Sequence, residues 1–230
     1  IDGGSGCRQL VLWNPEEREI IGGYRFICGT DAKIINGKPW LTSEHLFDYS
    51  HEFIEDFLPY TIELGRSFIC PKYQSGASST KSMYALDNLW DGIGALIVKF
   101  KAKYLFGKAS IYSHFGDDAF AIIRHFLNLY FADSRNLVYA KNPIKTDVSE
   151  EIKSLFCGDN YKDDYVVLKR ELKKLDRHIP PLVNSYMNVS PSMIAFDSTI
   201  NEDFGNVYET GLLVTTADMY EEKVKRHMEF

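Results

Sequence analysis

The amino-acid sequence predicts a mixed α/β fold, in which helices pack on a sheet of parallel and antiparallel strands. β-rich segments alternate with helical segments in the centre of the chain, which is typical of parallel neighbours. Pairs of β-rich segments separated by turn residues stand near both ends, which is typical of antiparallel hairpins. A charge-rich stretch over residues 132–190 breaks the alternation and predicts a helical insert.

The composition is that of an ordinary globular protein with a sizeable core. Of the 230 residues, 45% are hydrophobic and 14% are aromatic, which excludes a disordered chain. We expect a single domain over residues 1–230, because one α/β domain can exceed about 200 residues. The chain begins at Ile1, and we expect further N-terminal elements of the fold to precede it.

The net charge and the cysteines indicate which partners and which cellular compartment to expect. The net charge of −6 disfavours a nucleic-acid partner, because phosphate binding needs a basic face. The 4 cysteines form no CxxC pair, so we expect neither a zinc site nor a disulfide framework, and a cytoplasmic location fits best. The longest apolar stretch, residues 92–98, is shorter than the roughly 20 residues of a membrane span.

The N-terminal part of the chain predicts a hairpin followed by a less regular segment. Residues 7–13 and 20–28 are β-rich and flank an Asn-Pro turn. Asn36-Gly37 predicts a second turn. Residues 43–57 carry apolar side chains at roughly helical spacing, so we predict a helix there.

A strand–loop–helix–strand segment occupies the centre of the chain. Residues 61–70 are β-rich, and residues 74–81 form a loop of small polar residues. The clearest helix covers residues 86–100, because its apolar residues recur with a period of about 3.6. Tyr104–Ile111 predicts the second strand of a βαβ unit, and Asp117–Phe131 predicts a further helix. The remaining predicted elements are helical pieces at residues 150–156, 163–175 and 180–186, strands at residues 192–196 and 208–215, and a final helix at residues 218–228.

The loop over residues 74–81 is a candidate phosphate site. A small polar loop that opens a helix presents free backbone N–H groups at the positive end of the helix dipole. The alternative, a surface connection with a helix cap, accounts for the same composition. The chain carries no P-loop, GxGxxG, GxSxG or HExxH motif. The side chains that could add donors to a phosphate are Gln74, Ser75, Ser78, Ser79, Thr80 and Lys81.

Several segments, in order, carry a resemblance to a known family. ELGRSFICPKYQ at residues 63–74, ALDNLWDGIGALIVKF at Ala85–Phe100 and YLFGKASI at Tyr104–Ile111 resemble the GNAT-like N-acyltransferases of lipid biosynthesis. Within that family the segments resemble the ornithine-lipid and glycine-lipid synthases, often labelled hemolysin-like. GGYRF at residues 22–26 and IPPLVNSYM at residues 179–187 also resemble these enzymes, so the likeness extends over nearly the whole chain.

The resemblance implies a GNAT-like mixed sheet whose central parallel strands splay apart, with helices on both faces. The co-substrate would be the acyl thioester of acyl carrier protein or of coenzyme A, with no permanently bound cofactor and no metal. Its pantetheine arm would enter between the splayed strands and pair with the exposed strand backbone. The residues implied in donor binding are Ser67, Ile69, Gln74, Ser75, Ser79, Lys81 and Ser110.

The implied reaction is the attack of an acceptor amine on the thioester. Glu63 is the candidate base that takes the proton of the amine, and the alternative is an ion pair of Glu63 with Arg66 or Arg25. Arg66 is the candidate group that holds an acceptor carboxylate or a donor phosphate, and the alternative is a structural arginine. Gly65, between Glu63 and Arg66, permits a β-bulge.

The resemblance implies an N-acyltransferase that moves a fatty acyl or 3-hydroxyacyl group to the amine of a small amino acid in aminolipid synthesis. Three alternatives remain open. Two share the fold: a short-chain acetyltransferase and a signal synthase of the acyl-homoserine-lactone type. The third is an acyl-binding module without turnover.

Acyl carrier protein is acidic, so its docking would need a local basic patch. The same patch would suit anionic lipid headgroups, which predicts peripheral contact with the inner membrane. The alternative is that each lysine is an ordinary surface residue. The candidate lysines are Lys72, Lys81, Lys99, Lys101, Lys103 and Lys108.

Overall fold

A computed structural model describes residues 6–74, 85–145 and 148–229, which divide into two compact units. The first unit takes the described residues within Ile1–Glu44, His51–Gly107 and Val214–Phe230. The second takes those within His45–Ser50 and Lys108–Leu213. The mixed α/β class is confirmed, and the single domain over residues 1–230 stays a prediction.

The first unit begins with the predicted hairpin, which is confirmed. Strand β1 (Arg8–Asn14) pairs antiparallel with β2 (Glu19–Cys28), from Arg8↔Phe26 to Asn14↔Glu19. The predicted Asn36-Gly37 turn joins the short strands β3 (Ile34–Ile35) and β4 (Lys38–Pro39). Its left-handed backbone, with φ of 52° and 77°, is the conformation that Asn and Gly adopt most readily.

The central βαβ unit is confirmed. Strand β6 (Thr61–Ile69) lies antiparallel to β2 and parallel to β7 (Tyr104–Ile111), so the strand order here is β1-β2-β6-β7. The parallel register runs from Thr61↔Tyr104 to Leu64↔Gly107. It therefore covers only the first part of each strand, as expected for strands that pair at one end.

Helix α1 (Ala85–Phe100) connects the two parallel strands and packs on β1, β2 and β6. Gly22 permits the close pairing of β2 with β6, since a Cβ atom there would lie 2.6 Å from the Phe68 carbonyl oxygen. The C-terminal helix, Glu221–His227, packs on α1, and His227 Nδ1 lies 2.6 Å from Asp91 Oδ1. The apolar stripe of α1 is buried at Leu89, Trp90, Ile93, Leu96 and Ile97.

The helix predicted over residues 43–57 is wrong in its first part. The structure has a turn and then strand β5 (Phe47–Tyr49), which pairs antiparallel with β8 (Val138–Ala140) in the second unit. Phe53–Phe57 forms a short π-helical segment of the first unit, where the Phe53 ring lies 5.4 Å from the Phe106 ring. The apolar residues therefore serve two packing sites rather than one helical stripe.

The second unit is built on α2 (Asp117–Phe131) and the antiparallel strands β9 (Ile194–Asn201) and β10 (Val207–Thr215). Its strand order is β7-β10-β9, and β7 and β10 each contribute residues to both units. Phe126 on α2 packs against Phe156 with ring centroids 5.3 Å apart.

The predicted helical insert is confirmed as three helices, although it also contains the unpredicted strand β8. Side-chain caps explain two of the starts: Ser149 accepts from the Ile152 N–H, and Asn160 accepts from the Lys162 and Asp163 N–H groups. The helices are α3 (Glu150–Lys153), α4 (Tyr161–Lys174) and α5 (Pro181–Met187), and the C-terminal helix Glu221–His227 is α6.

Within the described parts of the chain, the helices all fall short of the length and apolar character that crossing a membrane requires.

The packing of α6 on α1 predicts opposite outcomes for two neighbouring glycines. A Cβ atom at Gly94 would lie 1.7 Å from the His227 carbonyl oxygen, whereas one at Gly92 would meet only the tip of the Leu10 side chain at 2.9 Å. We expect Gly94→Ala to lower the free energy of unfolding by about 2 kcal/mol or more, because the α6 backbone must move. Gly92→Ala should be nearly neutral, since Leu10 can rotate and alanine favours the helix by about 1 kcal/mol. Urea unfolding measures both, and equal losses would contradict this packing.

Candidate active site

Glu63 is a fully enclosed carboxylate near the start of β6. Only 2% of the residue is exposed. Its Oε2 accepts the backbone N–H of Thr42 at 2.7 Å, and its Oε1 accepts the backbone N–H of Ser43 at 2.9 Å. The Ser43 hydroxyl donates to the same Oε1. The segment that follows β4 therefore holds the carboxylate in one orientation.

The environment of Glu63 favours its neutral form. Burial raises the pKa of the Glu63 carboxyl, and the hydrogen bonds from Ser43 and Thr42 lower it only in part. All of these donors are neutral groups, so no cation among the described partners offsets the cost of burying the negative charge. A general base works best when its pKa lies near the working pH, so a carboxylate with a raised pKa suits this role.

Neither of the two arginines considered as ion-pair partners is among the described partners of Glu63. Arg66 is exposed, while Arg25 is buried on β2 opposite Gly65. The described hydrogen bonds of the Glu63 carboxylate thus come from the Thr42-Ser43 segment.

The predicted bulge lies on β6, and Arg66 forms it. The β2–β6 register passes from Gly23↔Phe68 to Arg25↔Gly65, so two residues of β6 face one residue of β2. Arg66 has a φ of 47°, in the left-handed region that costs a non-glycine residue about 1–2 kcal/mol. The bulge turns the Arg66 side chain outward, which leaves it exposed.

Three predicted donor-binding residues lie along the second half of β6 and just after it. Ser67 lies at the bulge beside the buried Tyr24, where burial raises the pKa of the Tyr24 phenol to about 12 and Ser67 lowers it in part. The Gln74 side chain donates to the Ile69 carbonyl oxygen at 2.8 Å. The structure therefore brings Gln74 and Ile69 together, while Ser75, Ser79 and Lys81 lie outside the described residues.

Ser110 belongs to a second buried carboxylate site, which the sequence analysis missed. Its hydroxyl donates to Glu209 Oε2 at 2.8 Å, and Lys108 Nζ donates to Glu209 Oε1 at 2.5 Å. Asn201 Nδ2 also donates to Oε1, at 3.1 Å. Glu209 is fully buried. A carboxylate within an apolar strand is the signal that could have indicated this network, because a buried charge must be paired.

The lysines considered for a basic patch have varied surroundings. Lys72 pairs with Glu17 at 2.9 Å and Glu19 at 2.5 Å, and Lys108 pairs with the buried Glu209. These two charges are locally neutralised, which weakens the predicted patch. Lys103 lies over the Tyr60 ring, 3.8 Å from its centroid.

Across the described ranges, no cluster of three or more His, Cys, Asp or Glu side chains is placed to hold a metal ion.

The comparisons with known proteins identify the class and then the family. The family model described as acetyltransferase (GNAT) domain matches residues 5–83. The glycine N(alpha)-acyltransferase of Phocaeicola vulgatus is 44% identical over 225 residues, which cover 96% of this chain and 69% of the relative. The enzyme of the same name from Bacteroides thetaiotaomicron is 45% identical over 225 residues, which cover 96% of this chain and 67% of the relative. No solved structure matches the chain significantly.

The fold and the matched domain define an acyltransferase of the GNAT class, an enzyme whose acyl donor is a thioester co-substrate. The chain belongs to the family of GNAT-type N-acyltransferases that includes these two relatives. The predicted family, the enzyme class and N-acyl transfer are therefore confirmed.

The raised pKa of Glu63 predicts a pH-dependent stability. A carboxyl whose pKa rises on folding favours the folded state below its unfolded pKa of about 4.3, and this contribution is lost as the pH rises through the folded value. We compare the free energies of unfolding of the wild type and Glu63→Gln by urea titration between about pH 4 and pH 9. The wild-type value minus the value for the Glu63→Gln variant should fall as the pH rises. Glu55→Gln, at an exposed glutamate, is the control, and a difference independent of pH at Glu63 would contradict the shift.

Proposed function

We propose that this protein transfers a fatty acyl group from a thioester to the amino group of a small amino acid. The names of the relatives make glycine the first acceptor to test. The observation that carries the proposal is Glu63, an enclosed carboxylate with a raised pKa, on a strand whose pairing with its parallel neighbour ends one residue later.

In this reaction the amine nitrogen attacks the thioester carbonyl carbon. A C–N bond forms, the C–S bond breaks, and the thiolate leaves. Because most of the amine is protonated at neutral pH, a base must take a proton before or during the attack. Glu63 is that base in our proposal. Since it is only 2% exposed, the proton reaches it through a water molecule.

The substrate-binding role proposed for Arg66 rests on its position. It is exposed at the bulge of the strand that carries Glu63. A guanidinium binds a carboxylate or a phosphate through two parallel hydrogen bonds. We assign Arg66 to the carboxylate of the amino acid, with the phosphate of the donor as the alternative.

The donor is acyl carrier protein or coenzyme A, and both present the acyl group on the same phosphopantetheine arm. We propose that Ser67, Ile69 and Gln74 contact this arm, because Ser67 lies at the bulge of β6 and the other two follow it. Initial rates with short and long acyl chains on each carrier identify both the carrier and the preferred chain length. Longer chains should bind better, since each buried methylene group contributes about 0.8 kcal/mol to binding. Loss of activity with long chains would contradict the fatty-acyl assignment.

Peripheral membrane contact stays a prediction.

Removal of the proposed base gives the central test. Glu63→Gln should lower kcat by about 10²–10⁴-fold, because the amide cannot accept the proton. It should also flatten the rising, low-pH limb of the pH–rate profile. Glu55→Gln, which removes an exposed carboxylate of the same unit, should leave both unchanged.

A second variant tests whether the Glu63 carboxyl sets the low-pH limb of the pH–rate profile. Ser43→Ala keeps the Glu63 carboxylate but removes one of its donors, so the pKa of Glu63 should rise and the low-pH limb of the pH–rate profile should move to higher pH.

If Glu63→Gln melts the protein at lower temperature but retains full activity per folded molecule, Glu63 is structural and the proposal fails.

Arg66→Lys keeps the charge and removes the two-pronged hydrogen bonding. We expect the KM of the amino acid to rise by about 10-fold, with little change in kcat. A rise confined to the KM of the acyl donor would instead assign Arg66 to the phosphate. Unchanged KM values for both substrates would contradict a binding role.

A further inference from the structure

A cavity of about 440 Å³ in the second unit is formed by helix α4, helix α5 and the segment that joins them. Its volume is in the range of small-molecule sites. The Tyr165 hydroxyl on α4 donates to Asn184 Oδ1 on α5, which ties the two helices together at two residues of the cavity wall. The described residues that line it are Tyr165, Lys169, Lys173, His178, Ile179 and Asn184.

Lys169 and Lys173 bring two positive charges to this cavity. They are four positions apart on α4, so their side chains lie on the same face of the helix. Neither lysine has a carboxylate partner among the described residues, whereas Arg170 and Lys174 both pair with Glu171, at 2.9 and 2.6 Å. The two lysines that line the cavity are therefore the two cations of this stretch whose charge the described structure leaves uncompensated.

An aromatic ring supports the position of the Lys169 ammonium group. Lys169 Nζ lies 4.9 Å from the centroid of the Tyr165 ring, a distance at which the face of the ring attracts a cation. Tyr165 itself lines the cavity. The contact therefore holds the ammonium group of Lys169 beside the cavity wall.

Two further side chains of the lining are hydrogen-bond donors. Asn184 Oδ1 already accepts from the Tyr165 hydroxyl and, at 3.2 Å, from Asn188 Nδ2, so the Asn184 side chain offers N–H donors to a ligand. The imidazole of His178 is exposed and carries an N–H in either neutral tautomer. The lining thus combines two charged donors with two donors that need no charge.

The number of charges and donors favours a phosphate monoester over other anions. The described lining contains two ammonium groups and no carboxylate. A phosphate monoester carries about −1.5 to −2 charges near neutral pH and three strong acceptor oxygens, which match two ammonium groups and further N–H donors. A carboxylate has a single charge and two oxygens, so it would leave part of the donor set unused.

We propose that this cavity binds the phosphate group of a phosphate monoester. Lys169 Nζ and Lys173 Nζ donate to phosphate oxygens, and the N–H groups of His178 and Asn184 complete the site. The like charges of the two lysines repel each other in the free protein, and a bound dianion removes that repulsion. All of these residues belong to the second unit, so the inference does not rest on the proposed acyl transfer.

Direct binding of inorganic phosphate is the first test, with no substrate of acyl transfer present. Phosphate is titrated into the protein at constant ionic strength, because chloride screens surface charges without filling a site. The backbone amide resonances of Lys169, Lys173 and His178 should shift in NMR spectra and reach saturation, and acetate should act more weakly. Absence of a shift, or equal shifts with chloride and with phosphate, would overturn the inference.

Variants of the two lysines assign the binding to this cavity. Lys169→Gln and Lys173→Gln should each weaken phosphate binding by about 10-fold, because each removes a hydrogen bond to a charged group. Lys169→Arg/Lys173→Arg keeps both charges and should retain binding. The control Lys153→Gln/Lys162→Gln removes two exposed lysines of the same unit that do not line the cavity and should bind as the wild type does. Equal weakening in this control would overturn the inference.

Thermal unfolding gives a second measurement and shows that each variant is folded. A ligand that binds only the folded state raises the melting temperature, so phosphate should raise that of the wild type and of the Lys153→Gln/Lys162→Gln control. It should leave the melting temperature of Lys169→Gln/Lys173→Gln unchanged. A full phosphate-dependent rise in that double variant would overturn the inference.

The source of the phosphate group is distinguished by two further probes. Glycerol phosphate presents a monoester in solution, and phosphatidylcholine vesicles that contain phosphatidic acid present one on a membrane. Binding of the soluble ester alone assigns the cavity to a free metabolite. Vesicle binding that Lys169→Gln/Lys173→Gln abolishes assigns it to a lipid headgroup. Vesicle binding that persists in this double variant, without binding of the soluble ester, would overturn the inference.

Discussion

The parallel pairing of β6 with β7 is the constraint on which the first unit depends. Parallel neighbours cannot be joined by a tight turn, so the chain must leave the sheet and return through a crossover. Helix α1 is that crossover, and its buried stripe covers β1, β2 and β6. Its close packing on α6 is possible because Gly94 has no side chain there. The short parallel register, which ends at Leu64 and Gly107, leaves the second half of β6 to carry the bulge.

Two of the buried carboxylates, Glu63 and Glu209, are stabilised in different ways. Glu63 receives backbone amides and a hydroxyl, which are neutral donors and leave its charge uncompensated. Glu209 receives a lysine ammonium as well as a hydroxyl and an amide, so its charge is matched within the fold. A buried carboxylate that is held by neutral groups can exchange a proton more readily than one paired with a cation. This difference makes Glu63 the better candidate for proton transfer. Glu209 instead holds Lys108, Ser110 and Asn201 in place through its hydrogen bonds.

Backbone strain coincides with the proposed site. Arg66 adopts the left-handed conformation although Gly65 is its neighbour and would adopt it without cost. Strained residues that persist in this way are often found at functional sites. The bulge breaks the alternation of side chains between the two faces of β6. It leaves the Arg66 guanidinium exposed on the strand that carries Glu63.

The sequence by itself determined the elements with strong local patterns: the first hairpin, the βαβ unit and the long helices, whose apolar periods of two and about 3.6 reflect burial of one face. It also singled out Glu63 and Arg66 and indicated a bulge on the strand that carries them. Only the tertiary structure decided that Phe47 joins a strand while Phe53 joins a π-helical segment, because each packs against residues distant in the chain. The same holds for the partners of Glu63, which come from Thr42 and Ser43, about 20 positions earlier, and for the Lys108–Glu209–Asn201 network. Hydrogen bonds of this kind have no periodic signature in the sequence, since they depend on which strands become neighbours in the folded sheet.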